Sequence, residues 1–104
     1  MNPEDDKLIK LARSSRARNG APEGAAVRDE TGRTYTATTV ALPHLDLTAL
    51  QVAVAMAVAS GAEGLEAAVV VTAGELPDIA AVRDLGPAAP VLVAGADGVV
   101  HTTL

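Results

Sequence analysis

Residues 47–61 read LTALQVAVAMAVASG, a run with no charged side chain and a single amide. Thr48 and Gln51 have the spacing of a capping box, and Gly61 is typical of a helix C-terminus. The run therefore predicts a helix over about residues 48–60. A surface helix normally keeps one polar face in water. Since this run has no polar face, we expect the helix to pack against protein on more than one side.

Size and composition bound the rest of the chain. It has 104 residues, 49% of them hydrophobic, and Tyr35 is its one aromatic residue. This length suits a single domain over residues 1–104. A core of Val, Ala, Leu and Ile buries little area per side chain, so a domain this small gains by burying more surface against a copy of itself. The composition therefore favours a homo-oligomer.

Charge and cysteine content exclude several classes of protein. The net charge is -5, and no cysteine is present, which excludes disulfides, thiolate metal ligands and a cysteine nucleophile. An acidic chain is unlike most nucleic-acid-binding domains, so nucleic acid is an unfavoured partner. The N-terminus MNPEDDK lacks a signal-peptide pattern, and the apolar run at 47–61 is too short to span a bilayer. We expect a cytoplasmic protein without membrane contact.

The other segments alternate between helical and β-prone patterns. Asn2 and Pro3 are a helix N-cap and a first helical residue, and the turns at 29–32 and 94–98 contain the Gly that hairpins favour. A continuous apolar run at 67–72 is typical of a strand buried on both faces. The predicted elements are helices over 3–17, 48–60 and 77–84 and strands over 25–27, 34–40, 67–72, 91–93 and 99–103.

This order, α-β-β-α-β-α-β-β, predicts an α/β fold with a mixed five-stranded sheet and helices on its faces. Helices between the second, third and fourth strands predict parallel pairing with right-handed crossovers. The first and last connections are short and predict antiparallel hairpins.

Four stretches in this order resemble the cytidine deaminase family of zinc-dependent nucleoside deaminases. They are GAAVRDETGRTYTATTV at 24–40, LTALQVAVAMAVASG at 47–61, AVVVTAGELPDIAAVRDLG at 68–86 and VLVAGADGVV at 91–100. The resemblance covers nearly the whole chain. It implies a cytidine deaminase-like three-layer α/β/α fold and assembly into dimers or tetramers through faces near the helix at 48–60.

The resemblance also implies where catalytic groups would lie. The family holds Zn²⁺ with three side chains, and a Glu moves protons while the zinc-bound water attacks the base. In this sequence the first ligand position is Leu50, the Glu position is Val52, and the other two ligand positions are Asp78 and Ala81. Only Asp78 can bind a metal. We therefore expect no metal and no cofactor, and a chain that is not an enzyme.

Substrate positions have changed as well. Thr39 and Ala41 match the ribose-binding Asn and Glu of the family, and Ala21 matches its base-stacking Phe. These departures predict a catalytically inactive pseudoenzyme that acts as an oligomeric binding or scaffold protein, with a further protein as a possible partner. One alternative is a nucleoside- or nucleotide-sensing module, and a less favoured one is an active deaminase. The sensing module would use a cleft lined by Ala21, Thr39, Ala41, Leu50, Val52 and Asp78.

The two histidines form a weaker candidate site. His44 with Asp46, or His101 with Asp97, could make an acid-base or metal pair, since imidazole titrates near neutrality. No tight metal-ligand spacing joins them. An exposed loop His and an edge-strand His are therefore the favoured interpretation.

A basic ridge follows the first helix. Lys7, Lys10, Arg13 and Arg16 recur every three residues and could contact RNA or an acidic protein. No aromatic residue is interleaved to stack bases. The favoured interpretation is a solvated face whose charges suit the negative end of the helix dipole.

Overall fold

Three helices and seven strands make up the computed structural model, which describes residues 2–104. None of the helices within that range is both long and apolar enough to cross a membrane. The helices are α1 (Pro3–Asn19), α2 (Ala49–Ala59) and α3 (Ala80–Leu85). The strands are β1 (Glu23–Asp29), β2 (Thr34–Thr38), β3 (Val40–Leu42), β4 (Leu45–Leu47), β5 (Leu65–Thr72), β6 (Val91–Ala94) and β7 (Val100–Thr103).

Five strands form one mixed sheet in the order β2-β1-β5-β6-β7. Strands β5 and β6 are parallel and are joined through α3, while the other neighbouring pairs are antiparallel. This confirms the predicted α/β fold and its mixed five-stranded sheet. The expected pairing of the second and third strands of the sheet is wrong, because β1 lies between β2 and β5. Seven of the eight residues of β5 are buried, because helices cover both faces of the sheet at this strand.

The segment between β2 and α2 forms a second, two-stranded sheet from β3 and β4. From the sequence, residue 40 was expected to end the preceding strand and His44 to lie in a loop, so this hairpin was not predicted. The chain leaves the main sheet after β2 and reverses direction at Pro43 and His44. On this hairpin Leu42 is 59% exposed and Leu45 is 48% exposed, so it presents apolar side chains to solvent.

The helices lie on opposite faces of the sheet and bury separate cores. On one face α1 packs with Leu8, Ile9 and Ala12 against β1 and β5. On the other face α2 and α3 pack with residues that include Leu50 and Val82. The close approach of α1 depends on Gly24, since a Cβ there would collide with the carbonyl oxygen of Ala12. The architecture is thus three layers, α/β/α.

A buried carboxylate organises the turn between β1 and β2. Oδ1 of Asp29 accepts hydrogen bonds from the Thr31 hydroxyl at 2.7 Å, the Thr31 amide at 2.8 Å and the Arg33 amide at 3.1 Å. Its Oδ2 accepts a hydrogen bond from the Tyr35 hydroxyl at 2.8 Å. These bonds, led by that of the Thr31 side chain, lower the pKa of Asp29 to about 2. The hydrogen bond to Asp29 also raises the pKa of Tyr35.

The pKa of Asp29 predicts a dependence of stability on pH. Because the folded-state pKa lies below its usual value of 3.8, the ionised carboxylate stabilises the fold above about pH 4. That contribution is lost as the pH falls from about 4 to about 2. We expect Asp29→Asn to lower the free energy of unfolding at neutral pH, with a deficit relative to wild type that shrinks over this interval. Urea denaturation of both proteins between pH 2 and pH 7 measures it, and a deficit independent of pH would contradict the prediction.

Candidate functional site

A cleft opens at the carboxyl end of β5, between the start of α2 and the loop that follows β5. We call it the β5 cleft, and its volume is about 710 Å³. Ligands of open α/β sheets commonly bind at the carboxyl ends of parallel strands. The cleft has six polar or charged lining residues, which are Arg16, Glu23, Thr48, Thr72, Glu75 and Asp78.

Several of these side chains are held by local hydrogen bonds. Thr48 is the N-cap of α2, and its hydroxyl accepts a hydrogen bond from the Gln51 amide at 3.1 Å. The Gln51 side chain accepts one in return from the Thr48 amide at 2.9 Å, which confirms the predicted capping box. The Thr72 hydroxyl accepts a hydrogen bond from the Gly74 amide at 3.0 Å, and Oδ1 of Asp78 accepts one from the Ala80 amide at 2.9 Å. The walls of the cleft are therefore ordered by their own loops.

Carboxylates dominate the charge of the β5 cleft. Glu23, Glu75 and Asp78 line it together with one cationic side chain, that of Arg16, whose Nε donates to the Pro22 carbonyl at 3.2 Å. Ionised carboxylates are hydrogen-bond acceptors only. The cleft is therefore suited to a ligand that presents hydroxyl or amino donors.

The positions that the resemblance assigned to catalysis do not converge on a metal. Leu50 is 1% exposed and belongs to the core beneath α2, and Val52 and Ala81 are half-buried against the same core. Asp78 is exposed at the rim of the β5 cleft. A catalytic zinc site needs three protein ligands. Across residues 2–104, no three His, Cys, Asp or Glu side chains are grouped closely enough to hold a metal ion. The side chains present do not fit a zinc ion.

The positions assigned to substrate are also dispersed. Ala21 is half-buried in the loop after α1, where its amide donates to the Arg16 carbonyl at 3.1 Å. Thr39 lies between β2 and β3, and its hydroxyl is buried without a hydrogen-bond partner among residues 2–104. Ala41 is exposed on β3. Of the six residues predicted to line the cleft, Asp78 lines the β5 cleft.

Four polar residues of the β5 cleft were missed as ligand contacts by the sequence analysis. The capping box singled out Thr48, but only as a helix start. Thr72 ends a buried strand and Glu75 lies in the loop after it, which is a signal that could have been used, because ligand-binding loops often follow such strands. Glu23 gave no signal, since it lies at the start of a mostly buried strand and in no recognisable motif.

The histidines lie in different parts of the fold. His44 is exposed in the turn of the β3–β4 hairpin, beside the exposed Asp46. His101 is exposed on β7 near Gly95, and Asp97 accepts a hydrogen bond from the Val99 amide at 2.9 Å within the β6–β7 turn. Asp97 is thus engaged in turn formation. This agrees with the interpretation of both histidines as exposed residues.

A mixed sheet with α1 on one face and α2 with α3 on the other defines a three-layer α/β/α domain. The family model described as "Cytidine deaminase-like" matches residues 1–98. The chain belongs to the cytidine deaminase-like family, as the resemblance implied.

Solved structures agree on the fold. Cytidine deaminase from Burkholderia pseudomallei superposes with a TM-score of 0.77 at 24% identity, over 100% of this chain and 92% of that one. Cytidine deaminase from Mycobacterium leprae gives a TM-score of 0.73 at 23% identity, over 88% of this chain and 89% of that one. Comparison with curated proteins gives no significant match. At these identities the likeness shows a shared fold.

The family assignment corrects one prediction. The expectation that this chain is not an enzyme is wrong, because the chain belongs to the cytidine deaminase-like family and its solved neighbours are cytidine deaminases. The expectation was drawn from Leu50, Val52, Asp78 and Ala81. Four substituted positions in one family pattern are a narrow basis for excluding catalysis, since unrelated groups can carry out the same chemistry.

Proposed function

We propose that this chain is the subunit of a homo-oligomeric binding protein, with the outer face of α2 as the contact between subunits. One observation carries the proposal. On the side of α2 away from the sheet, Met56 is 41% exposed and Val58 is 53% exposed, beside the exposed Ala55 and Ala59. No charged residue occurs in the helix, Ala49–Ala59. A helix that is apolar all round is normally buried on all sides.

The β3–β4 hairpin supports the same proposal. Its two three-residue strands stand apart from the main sheet, and an isolated hairpin of this size is marginally stable in water. Leu42 and Leu45 are exposed on it. A second subunit packed over these side chains would bury apolar area and stabilise the hairpin.

Light scattering during size-exclusion chromatography tests the assembly. One subunit has a mass of 10.4 kDa, and we expect a measured mass of two or four times that value. A mass of 10.4 kDa that stays constant as the protein concentration is raised would contradict the proposal.

A second candidate function is nucleoside binding in the β5 cleft. The observation that favours it is the set of carboxylates from Glu23, Glu75 and Asp78 in an open cleft. Sugar hydroxyl groups and an exocyclic amino group are donors that such acceptors can bind. The solved neighbours with this fold are cytidine deaminases, so cytidine is the first ligand to test.

Calorimetric titration with cytidine tests this second function. Glu23→Gln removes a negative acceptor from the half-buried wall of the cleft, and we expect it to weaken binding about tenfold, since hydrogen bonds to charged groups contribute about 1.5–3 kcal/mol. Glu63→Gln makes the same change at an exposed position outside the cleft and should leave affinity unchanged. Equal weakening in both variants, or no binding by wild type, would contradict the prediction. Conversion of cytidine to uridine in the same samples tests the activity that the family suggests.

Three further proposals concern the domain count, the location and the metal content of the protein. We infer a single domain over residues 1–104, a cytoplasmic location, and the absence of a bound metal or cofactor. A protein partner other than a second copy of the chain is a possible addition to the assembly. Metal analysis of the purified protein tests the third expectation directly, and stoichiometric zinc would contradict it.

A further inference from the structure

Two arginines of α1 are anchored to backbone carbonyl groups. Nε of Arg13 donates to the Ala96 carbonyl in the β6–β7 turn at 3.1 Å, and Nε of Arg16 donates to the Pro22 carbonyl at 3.2 Å. A Cβ at Gly98 would lie 2.9 Å from Cδ of Arg13, so the Arg13 side chain lies directly across this glycine. The basic ridge is therefore partly fixed against neighbouring loops, and the terminal amino groups of both guanidinium groups remain available.

A groove lies between α1 and the β6–β7 turn, with a volume of about 410 Å³. We call it the α1 groove. Lys10, Arg13 and Arg16 line it together with the Ser14 hydroxyl, and Val71 at the end of β5 is among its apolar lining residues. No carboxylate from the described part of the chain lines it. Three cations and a hydroxyl donor thus share one concave surface.

The cations of the α1 groove have no ionic partner among residues 2–104. Within residues 2–104, both ion pairs are made by Arg28, which contacts Asp5 and Glu66 on another part of α1 and β5. Like charges three residues apart on a helix repel one another and destabilise it slightly. Residues 19–104 carry three Lys or Arg against ten acids, so this local positive charge stands out in an acidic chain.

We propose that the α1 groove binds a phosphate group, either as an inorganic ion or as part of a phosphate ester. The terminal amino groups of Arg13 and Arg16 donate to phosphate oxygens, which match the planar geometry of guanidinium. The Lys10 ammonium group adds a further positive charge, and the Ser14 hydroxyl adds a neutral donor. The hydrogen bonds to the Ala96 and Pro22 carbonyls already restrict the Arg13 and Arg16 side chains, so binding loses less side-chain entropy. The site faces the opposite side of the sheet from α2, so it does not depend on the proposed subunit contact.

Calorimetric titrations with inorganic pyrophosphate and with ribose 5-phosphate, at constant ionic strength, test the site. We expect saturable binding of at least one of them, weakened about tenfold or more by Arg13→Gln and by Lys10→Gln. Arg16 also lines the β5 cleft, so it is left unchanged and the result stays independent of nucleoside binding. Tighter binding of pyrophosphate would indicate a free inorganic ion as the ligand. Tighter binding of ribose 5-phosphate would indicate a phosphate ester.

The matched control is Arg18→Gln, which removes the same charge from an exposed position of α1 outside the groove. Its affinity should stay within twofold of wild type. Thermal unfolding of each variant checks that the fold is intact. The absence of saturable binding by wild type, or an equal loss of affinity in Arg18→Gln, would overturn the proposal in favour of a non-specific effect of net charge.

Discussion

Val58→Glu is expected to convert the assembled protein into a monomer of 10.4 kDa. The Val58 side chain is 53% exposed in the isolated subunit, on the face of α2 that we propose as the subunit contact. A carboxylate placed there would lose its hydration on assembly. It would find no partner of opposite charge in α2, because Ala49–Ala59 contains no charged residue. Glutamate is also a better helix former than valine, so the subunit itself should fold. Light scattering measures the mass, and circular dichroism checks the fold.

Leu76→Glu is the control for this variant. Leu76 is 63% exposed in the loop after β5, so the same carboxylate is introduced on an apolar residue away from α2. Its mass should equal that of wild type. An unchanged mass for Val58→Glu, or dissociation by both variants, would contradict the assignment of the contact to α2.

Leu50→Ala is expected to lower the free energy of unfolding by about 3 kcal/mol, within the range of about 2–5 kcal/mol seen when a large aliphatic side chain is removed from a core. Leu50 is 1% exposed and packs in the core between α2 and the sheet. Truncation removes buried apolar area and leaves a cavity that a rigid sheet cannot fill. Urea denaturation at one fixed protein concentration measures the change, because assembly makes stability depend on concentration.

Leu76→Ala is the matched truncation at an exposed position. It should change the free energy of unfolding by less than about 0.5 kcal/mol. If Leu50→Ala lost as little stability as this control, Leu50 would face an open cleft, as predicted for the nucleoside-sensing alternative. A large loss for Leu50→Ala alone establishes it as a core residue.

Much of the fold could be predicted from local patterns. The caps of α1 and α2 use Asn2 and Thr48 as the sequence indicated, and the apolar run of β5 is buried as expected. These features depend on residues close together in the chain. The sheet order depends on whether β1 or β2 pairs with β5, and no local sequence pattern encodes that choice. The β3–β4 hairpin was missed because strands of three residues carry too short an alternation to recognise.

The candidate site was harder to predict than the fold. The β5 cleft is formed by side chains from separate segments, such as Glu23 at the start of β1 and Glu75 in the loop after β5. Their convergence follows from the tertiary arrangement. Positions transferred from the family pattern instead led to Leu50, whose side chain is in the core. A position in an alignment fixes the backbone location, but the size and polarity of the side chain decide whether it faces the cleft or the core.

Cross-linking with a bismaleimide tests whether the outer face of α2 is the contact between subunits. The chain has no cysteine, so Ala55→Cys on that exposed face and Ala88→Cys in the loop before β6 each introduce a single thiol. Both changes are small and at exposed positions. We expect covalent dimers of Ala55→Cys on a denaturing gel and little cross-linking of Ala88→Cys. An Ala55→Cys protein that stays a single chain after treatment would contradict a subunit contact through α2.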